Sequence, residues 1–445
     1  MHYLPASEDD VKRMLAVVGV PDVEALLAAV PREVQLKGSL PLPPALSESE
    51  VRDRFGARAT KNTVASCYPC FLGAGAYDHY GPAAVDAILS RSEFYTSYTP
   101  YQPELAQGTL QTIFEFQTMM ADLTGMDASN ASLYDGASAA AEAALMASRL
   151  HKGRRVLVAR SLHPAYRAVL RTYLQYLDLA VEEVAFGADG RVDLEAYAKA
   201  ADGACVFLVG QPNFFGVVED LKAIAAAPAG HKPLLAAVVA EALSLAALEP
   251  PGRCGADLCA GEARSFGLPL GFGGPYLGFL TAKREYMRQL PGRICGQTVD
   301  ADGRRGFVLT LTTREQHIRR EKATSNICTN QGLCMLAATV YLALLGRRGL
   351  SELAVHNLSK AEYLKKALAA RGVETLFGAP TFNEFAVCVK GAAGAGARLF
   401  QKQLLGGYAL GRDYPDLAEG YLLCATERVT KSACDRLAEA LGDLS

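Results

Sequence analysis

An α/β fold, with a mostly parallel sheet between two layers of helices and a smaller α+β domain behind it, is what this chain of 445 residues predicts. Three observations point there. Between about residues 91 and 325 short apolar runs recur at 155–159, 181–186, 204–209, 234–239, 255–259 and 276–281, and helical stretches such as 164–177 and 194–201 separate the earlier ones. Buried strands alternating with helices put a parallel sheet in the middle and helices on both faces. From about 326 onward the order changes to two longer helices (331–345 and 351–371), a strand at 385–389, a helix near 398–405, a strand at 421–425 and a closing helix at 431–441. Finally, a hydrophobic share of 50% supplies core enough for one large domain and a smaller one.

Residues 1–90 read as an N-terminal arm laid on something larger, with 91–325 as the large domain and 326–445 as the C-terminal domain. The arm holds short helices, a proline-rich connector at 40–44 and the loop 71–80. Ser7 to Asp10 spells a capping box that opens the first helix. The acidic start lacks the basic, then apolar, run of a signal peptide. Glycines 73 and 75 lack the Gly-Lys-Ser continuation of a phosphate loop. The most apolar window, 234–248, is interrupted by Glu241 and Ser244 and is too short to span a bilayer. A net charge of −2 and a pI near 6.4 give no reason to expect nucleic acid or a membrane surface as partner. Eleven cysteines, most of them inside apolar runs as at Cys205, Cys388 and Cys424, predict reduced, buried thiols in a cytoplasmic protein. Cys67 and Cys70 form a lone pair at metal spacing with no second pair nearby, so a packed turn is expected and no metal.

Several stretches carry chemistry. The run YDGASAAAEA at 134–143 opens an alanine-rich helix with small residues at Gly136, Ala137 and Ser138. Its free N–H groups suit an anion such as a phosphate, and they equally suit an ordinary capped helix start. His163 follows the next strand and either covers a bound ring or faces solvent at a helix start. The turn at 211–220 stands where parallel sheets bind ligands, or is a plain turn. Glu241 closes the strand 234–239, and Arg264 stands some twenty residues beyond it. In pyridoxal-phosphate enzymes of the aspartate-aminotransferase fold (fold type I), an acid after such a strand holds the pyridine nitrogen and a later lysine forms the Schiff base. A guanidinium stays protonated at working pH and is no amine nucleophile.

The runs FYTSYTPYQPE at 94–104, YDGASAAAEA, GEARSFGLPLGFGG at 261–274, PGRI at 291–294, FNEF at 382–385 and above all TREQHIRREKATSNICT at 313–329 resemble the glycine cleavage P-protein. The resemblance runs from about residue 5 to the C terminus and is to the shorter, alpha chain of the two-chain form. It implies the pyridoxal-phosphate transferase fold and an enzyme that decarboxylates glycine on pyridoxal phosphate and passes the aminomethyl carbon to the lipoyl arm of H-protein. It also implies that the lysine and the cofactor belong to the beta chain, in agreement with Arg264, and that the active sites lie between chains in a heterotetramer. Glu241, with Gly136, Ala137, Ser138 and His163, would then be this chain's own vestigial site.

Two segments are candidates for completing the partner's site. Tyr95, Tyr98, Tyr101, Gln102 and Glu104 lie in a stretch kept extended by Pro100 and Pro103; they line a neighbouring substrate pocket or simply pack. Thr324, Ser325 and Asn326 follow the basic Arg319, Arg320 and Lys322; they either meet the partner's cofactor phosphate or cap a helix. Two other classes remain. One is a self-sufficient enzyme using Lys283 or Lys322, and the other is a scaffold or regulator that only stabilises the partner.

Overall fold

A computed structural model describes residues 5–443, so residues 1–4 and 444–445, at the outer ends of the expected arm and C-terminal domain, lie outside it. Its centre is a seven-stranded sheet built from β1 (Ala128–Ser129), β2 (Arg155–Ala159), β3 (Ala180–Val184), β4 (Ala204–Gly210), β5 (Leu234–Val239), β6 (Leu258–Glu262) and β7 (Gly278–Ala282). The strand order is β1-β7-β6-β5-β4-β2-β3. From β3 across to β6 neighbours are parallel, whereas β7 runs antiparallel to β6 and β1 antiparallel to β7. The central strands ACVFLVG and LLAAVV are buried along their whole length, as two covered faces require. Alternation then divides each strand between two cores: Phe207 and Val209 enter one, Val206 and Leu208 the other.

Two compact units divide the chain, Met1–Thr63 and Val64–Ser445. The first carries helices α1 (Glu8–Val18), α2 (Val23–Leu26) and α3 (Glu48–Ala59). Ser7 with Asp10, and Ser47 with Glu50, form reciprocal capping boxes that start α1 and α3. None of these helices buries a residue, and Val17, Val18, Leu26, Leu27 and Phe55 are exposed. Exposed apolar residues on well-capped helices mark a contact surface.

In the larger unit follow α4 (Ala83–Leu89), α5 (Ser92–Tyr95), α6 (Gln107–Thr124), α7 (Gly136–Leu150), α8 (Pro164–Leu174), α9 (Leu194–Ala200) and α10 (Leu221–Ala226). Helix α7 packs its alanine face on one side of the sheet, where small side chains let helix and strands approach closely. Leu110, Ile113, Phe116 and Met120 of α6 cover the other. A hairpin of β8 (Ile294–Val299) and β9 (Arg305–Thr310) then leads through α11 (Gln316–Arg319) to α12 (Gly332–Ala369). The two helices expected over 331–371 are both present, separated at Gly346, which takes φ 59 and ψ −175, and are numbered together as α12. A left-handed backbone is open to glycine at little steric cost. By length and composition α12 is apolar enough to cross a membrane, and half of its most apolar window is buried in this protein.

The first half of α12 packs on the sheet, through Met335 and Tyr341, and its second half packs on the C-terminal module, through Ala361, Leu364 and Leu368. That module pairs β10 (Glu384–Cys388), β12 (Gly420–Cys424) and β11 (Tyr408–Ala409) in that order, with α13 (Ala392–Gln401) and α14 (Lys431–Gly442); Cys424 is buried as expected, whereas Cys388, expected inside, is exposed at the end of its strand. Residues 64–90 belong with the larger unit. Phe71 is fully buried in the C-terminal core, and its backbone bonds to Leu405 and Cys424 at 2.8 and 2.9 Å. The division after residue 63 therefore predicts unequal effects of two truncations. Phe71→Ala costs about 3–5 kcal/mol, as a buried aromatic does. Phe55→Ala, on the exposed face of α3, stays within about 0.5 kcal/mol. Urea unfolding of the isolated chain measures both.

Candidate functional site

The carboxyl ends of β4, β5 and β6 and the N termini of α7 and α8 enclose the crevice where sheets of this topology place ligands. Glu241 stands at the end of β5 and is 3% exposed. One of its oxygens accepts the Leu243 N–H at 2.9 Å; the other meets His79 Nε2 at 2.9 Å and the Asn383 amide at 3.4 Å. The second nitrogen of His79, Nδ1, lies 2.9 Å from Glu427 Oε2. Burial opposes a charge on the imidazole, yet the two carboxylates overrule it and raise its pKa to about 10. Glu241 is likewise held below the ordinary carboxylate value against the pull of burial.

The loop 71–80 that carries His79 fills the rest of the crevice. Ala74 N–H and Tyr77 O–H donate to the two oxygens of Glu384 at 2.6 and 3.0 Å, and burial pushes that carboxyl up to about 8. His163 Nε2 bonds to the Ala74 carbonyl at 2.8 Å, while Nδ1 accepts the Ala165 N–H at 3.1 Å. A Cβ on Gly75 would lie 2.7 Å from the His163 ring, and its φ is 95. Glycine is therefore needed there on both counts. What remains is a cavity of about 10 Å³ lined by Tyr77, Asn213, Glu241, Asn383 and Glu384, space for about one water molecule.

Pyridoxal phosphate does not fit this crevice. The Gly136 N–H at the start of α7 donates to Glu262 at 3.0 Å and the Ser138 N–H to Asp135 at 2.7 Å. A Cβ at Gly136 would lie 2.3 Å from the Tyr166 hydroxyl, so these two donors are taken and the space a phosphate would need is filled. Ala137 adjoins them with a half-buried side chain. Glu262, at the end of β6, also accepts from Leu277 and Arg264, and burial raises it to about 7 against these donors. Arg264 is 1% exposed. Its guanidinium bonds to the Tyr77 and Leu268 carbonyls and lies 5.9 Å from the Tyr276 ring. The lysines considered above are elsewhere: Lys283 is paired with Asp257, and Lys322 is exposed.

A second locus joins the two segments singled out in the sequence. Tyr95, Tyr98 and Tyr101 are 57, 77 and 61% exposed, and Gln102 and Glu104 are exposed beside them. The Tyr101 ring sits 5.8 Å from the guanidinium of Arg293. That guanidinium is 3% exposed and donates to Thr329 Oγ1, Asn330 Oδ1 and the Cys328 carbonyl at 3.1, 3.2 and 2.9 Å. Thr324 N–H bonds back to the Arg314 carbonyl at 3.0 Å. Ser325 Oγ accepts the Ile327 N–H at 3.0 Å and reaches the buried Glu142, while Asn326 is exposed. These residues cap no helix: α12 starts six residues later, after Gln331. Arg293, Arg314 and Glu142 went unread in the sequence because PGRI and TREQ show no spacing that ties them to position 142.

This locus is incomplete within the chain. Eight buried side-chain atoms lack a hydrogen-bond partner among the described residues, and five belong here: Thr99 Oγ1, Glu142 Oε2, Arg293 Nε, Arg314 Nη1 and Glu315 Oε1. Buried polar groups are normally satisfied, so such a concentration marks a surface finished by something else.

The sealed crevice generates a pH prediction. Unfolded, His79 titrates near 6.5; folded, near 10. Its contribution is full below about pH 6.5 and is lost as pH rises through about 10. Glu241, Glu427 and Tyr77 face it, with Glu384 beyond Tyr77 and Lys360 on the Glu427 carbonyl. His79→Gln leaves buried carboxylates uncompensated, at about 3–5 kcal/mol. The gap in melting temperature between wild type and variant is expected to be widest near pH 6 and to shrink by pH 10.5.

A family model described as glycine cleavage system P-protein matches residues 1–441. The probable glycine dehydrogenase (decarboxylating) subunit 1 of Geobacillus kaustophilus (strain HTA426) is 49% identical over 444 residues, covering 99% of this chain and 98% of that one. Its counterpart from Koribacter versatilis (strain Ellin345) is 46% identical over 445 residues, covering 99% and 100%. The crystal structure of a glycine decarboxylase (P-protein) of the glycine cleavage system, in inhibitor-bound form, superposes with a TM-score of 0.90 at 41% identity over 100% of both chains. The aspartate aminotransferase of Thermus thermophilus matches with a TM-score of 0.56 at 17% identity, over 85% of this chain and 99% of that one, a likeness of fold alone. With the fold type I architecture of pyridoxal-phosphate enzymes, and a match running almost end to end, this chain belongs to the glycine cleavage system P-protein family.

Proposed function

We propose that this chain is the non-lysine subunit of a two-chain glycine decarboxylase and that its tyrosine face completes the active site of the beta chain (subunit 2). The relatives' designation as subunit 1 of a decarboxylating glycine dehydrogenase supports a partner chain. The observation that carries the reading is the contact of exposed Tyr101 with buried Arg293, with Tyr95 and Tyr98 exposed in the same segment and five unsatisfied buried atoms on this and the adjoining segments. A crevice of its own that is already filled supports placing the cofactor on the partner.

In this reading the partner's lysine carries pyridoxal phosphate, which supplies the electron sink as CO2 leaves glycine. The aminomethyl carbon then goes to the lipoyl arm of H-protein. The tyrosine hydroxyls and the Gln102 amide orient glycine and exclude water. Thr324, Ser325 and Asn326 present donors to the partner's cofactor phosphate. Arg293 ties the two segments together by stacking on Tyr101 and holding 328–330. The assembly is a heterotetramer of two chains of each kind, and its compartment is the cytoplasm, a reading supported by cysteines that are all free thiols. The second reading, a scaffold that only stabilises the partner, is favoured by the sealed crevice alone.

Two experiments separate these readings. Tyr98→Phe and Tyr95→Phe remove hydroxyls and keep rings. Glycine decarboxylation by the reconstituted complex with lipoylated H-protein is expected to fall by as much as about 10²–10³-fold, the loss expected when one oriented donor is removed, at an unchanged melting temperature. Full activity in both variants leaves the scaffold. Incubated alone with pyridoxal phosphate and borohydride, the chain is expected to yield no pyridoxyl-lysine peptide, and Arg264→Lys alone to remain inactive without the partner, because loop 71–80 still fills the crevice.

A further inference from the structure

In pyridoxal-phosphate sites an acid meets the protonated ring nitrogen of the cofactor. Glu241 has the position for that contact, at the end of the central strand, but it is spent on a side chain. His79 reaches it at 2.9 Å, and the other edge of the same ring meets Glu427 at 2.9 Å. All three side chains are buried or nearly so. Nearby, Glu262 occupies the N–H of Gly136 at the helix start. Protein groups thus stand at both ends of the crevice, a cationic ring on the acid and a carboxyl on the helix.

We propose that His79 is a built-in substitute for a protonated heteroaromatic ring, and that the space it fills is a latent binding site for a small heteroaromatic cation. Two opposed carboxylates select the shape of that cation. An imidazolium offers N–H groups on both edges and satisfies Glu241 and Glu427 together. A pyridinium offers one N–H and leaves one carboxylate buried without its partner, which burial penalises. A neutral ring such as pyrrole brings one N–H and no charge. Loop 71–80 stays anchored without the imidazole, through Ala74 and Tyr77 on Glu384, through Phe71 in the C-terminal core and through the Asp78 carboxylate on Arg428. Deleting the ring therefore opens a pocket and leaves its frame in place.

The test uses the full-length chain and needs neither glycine nor the partner, so its failure is independent of the function proposed above. His79→Ala is expected to melt several degrees below wild type at pH 7. Imidazole should restore at least half of that loss in a saturable manner, pyridine less, and pyrrole none. Equal rescue by pyrrole, or no rescue by any of the three, overturns the proposal. A measurement on the wild-type chain covers the case in which the variant does not fold. With ¹⁵N-labelled histidine, both ring nitrogens of His79 should be protonated at pH 8; a neutral tautomer there overturns the proposal.

Discussion

One imidazole lies between two carboxylates that come from distant parts of the fold. Glu241 belongs to the central sheet and Glu427 to the C-terminal module, and His79 meets both. Removing an ion of either sign from water is unfavourable unless its partner goes with it. The sheet, the module and loop 71–80 are therefore bound to one arrangement. Glu427 also accepts from Tyr80 N–H and from Asn357 on α12, so the same node includes the helix that spans both cores.

Closing the crevice this way has a consequence for the rest of the molecule. The ends of the parallel strands, ordinarily where such a sheet holds a ligand, are filled by the chain's own side chains with almost no void, although Arg264 Nε is left without a hydrogen-bond partner. Five of the eight unmatched buried atoms lie instead on the segments around Arg293. There the buried Arg293 guanidinium has an unsatisfied Nε, and the ring of the exposed Tyr101 sits 5.8 Å from it. A filled crevice at one site and a cluster of unmatched groups at the other are what a division of labour between two chains would produce.

The unit Met1–Thr63 makes the same point with apolar groups. Its helices are well capped and start where local hydrogen bonding dictates, yet none buries a side chain. Capping decides where a helix begins and supplies no core. Apolar residues such as Val17, Leu26 and Phe55 stay exposed on these helices.

Much of the architecture was legible locally. Runs such as 204–209 and 234–239 are too apolar and too short to be anything but buried strands, and Asp135 and Ser138 mark a helix start by their own hydrogen bonds. The family motifs placed Tyr95 to Glu104 and Thr324 to Asn326 as candidates, and Arg264 excluded a lysine at its position. Hairpin β8–β9 and the short edge strands β1 and β11 gave no such pattern, because their residues face solvent or neighbours unevenly. Only the tertiary structure decided which residues meet. Loop 71–80 reads as ordinary glycine-rich sequence, and nothing in it announces that His79 will reach positions 241 and 427. The physical reason is that capping and strand periodicity act over a few residues. A buried charge, in contrast, is satisfied by whatever the fold brings near it, here groups 162 and 348 residues further along the chain.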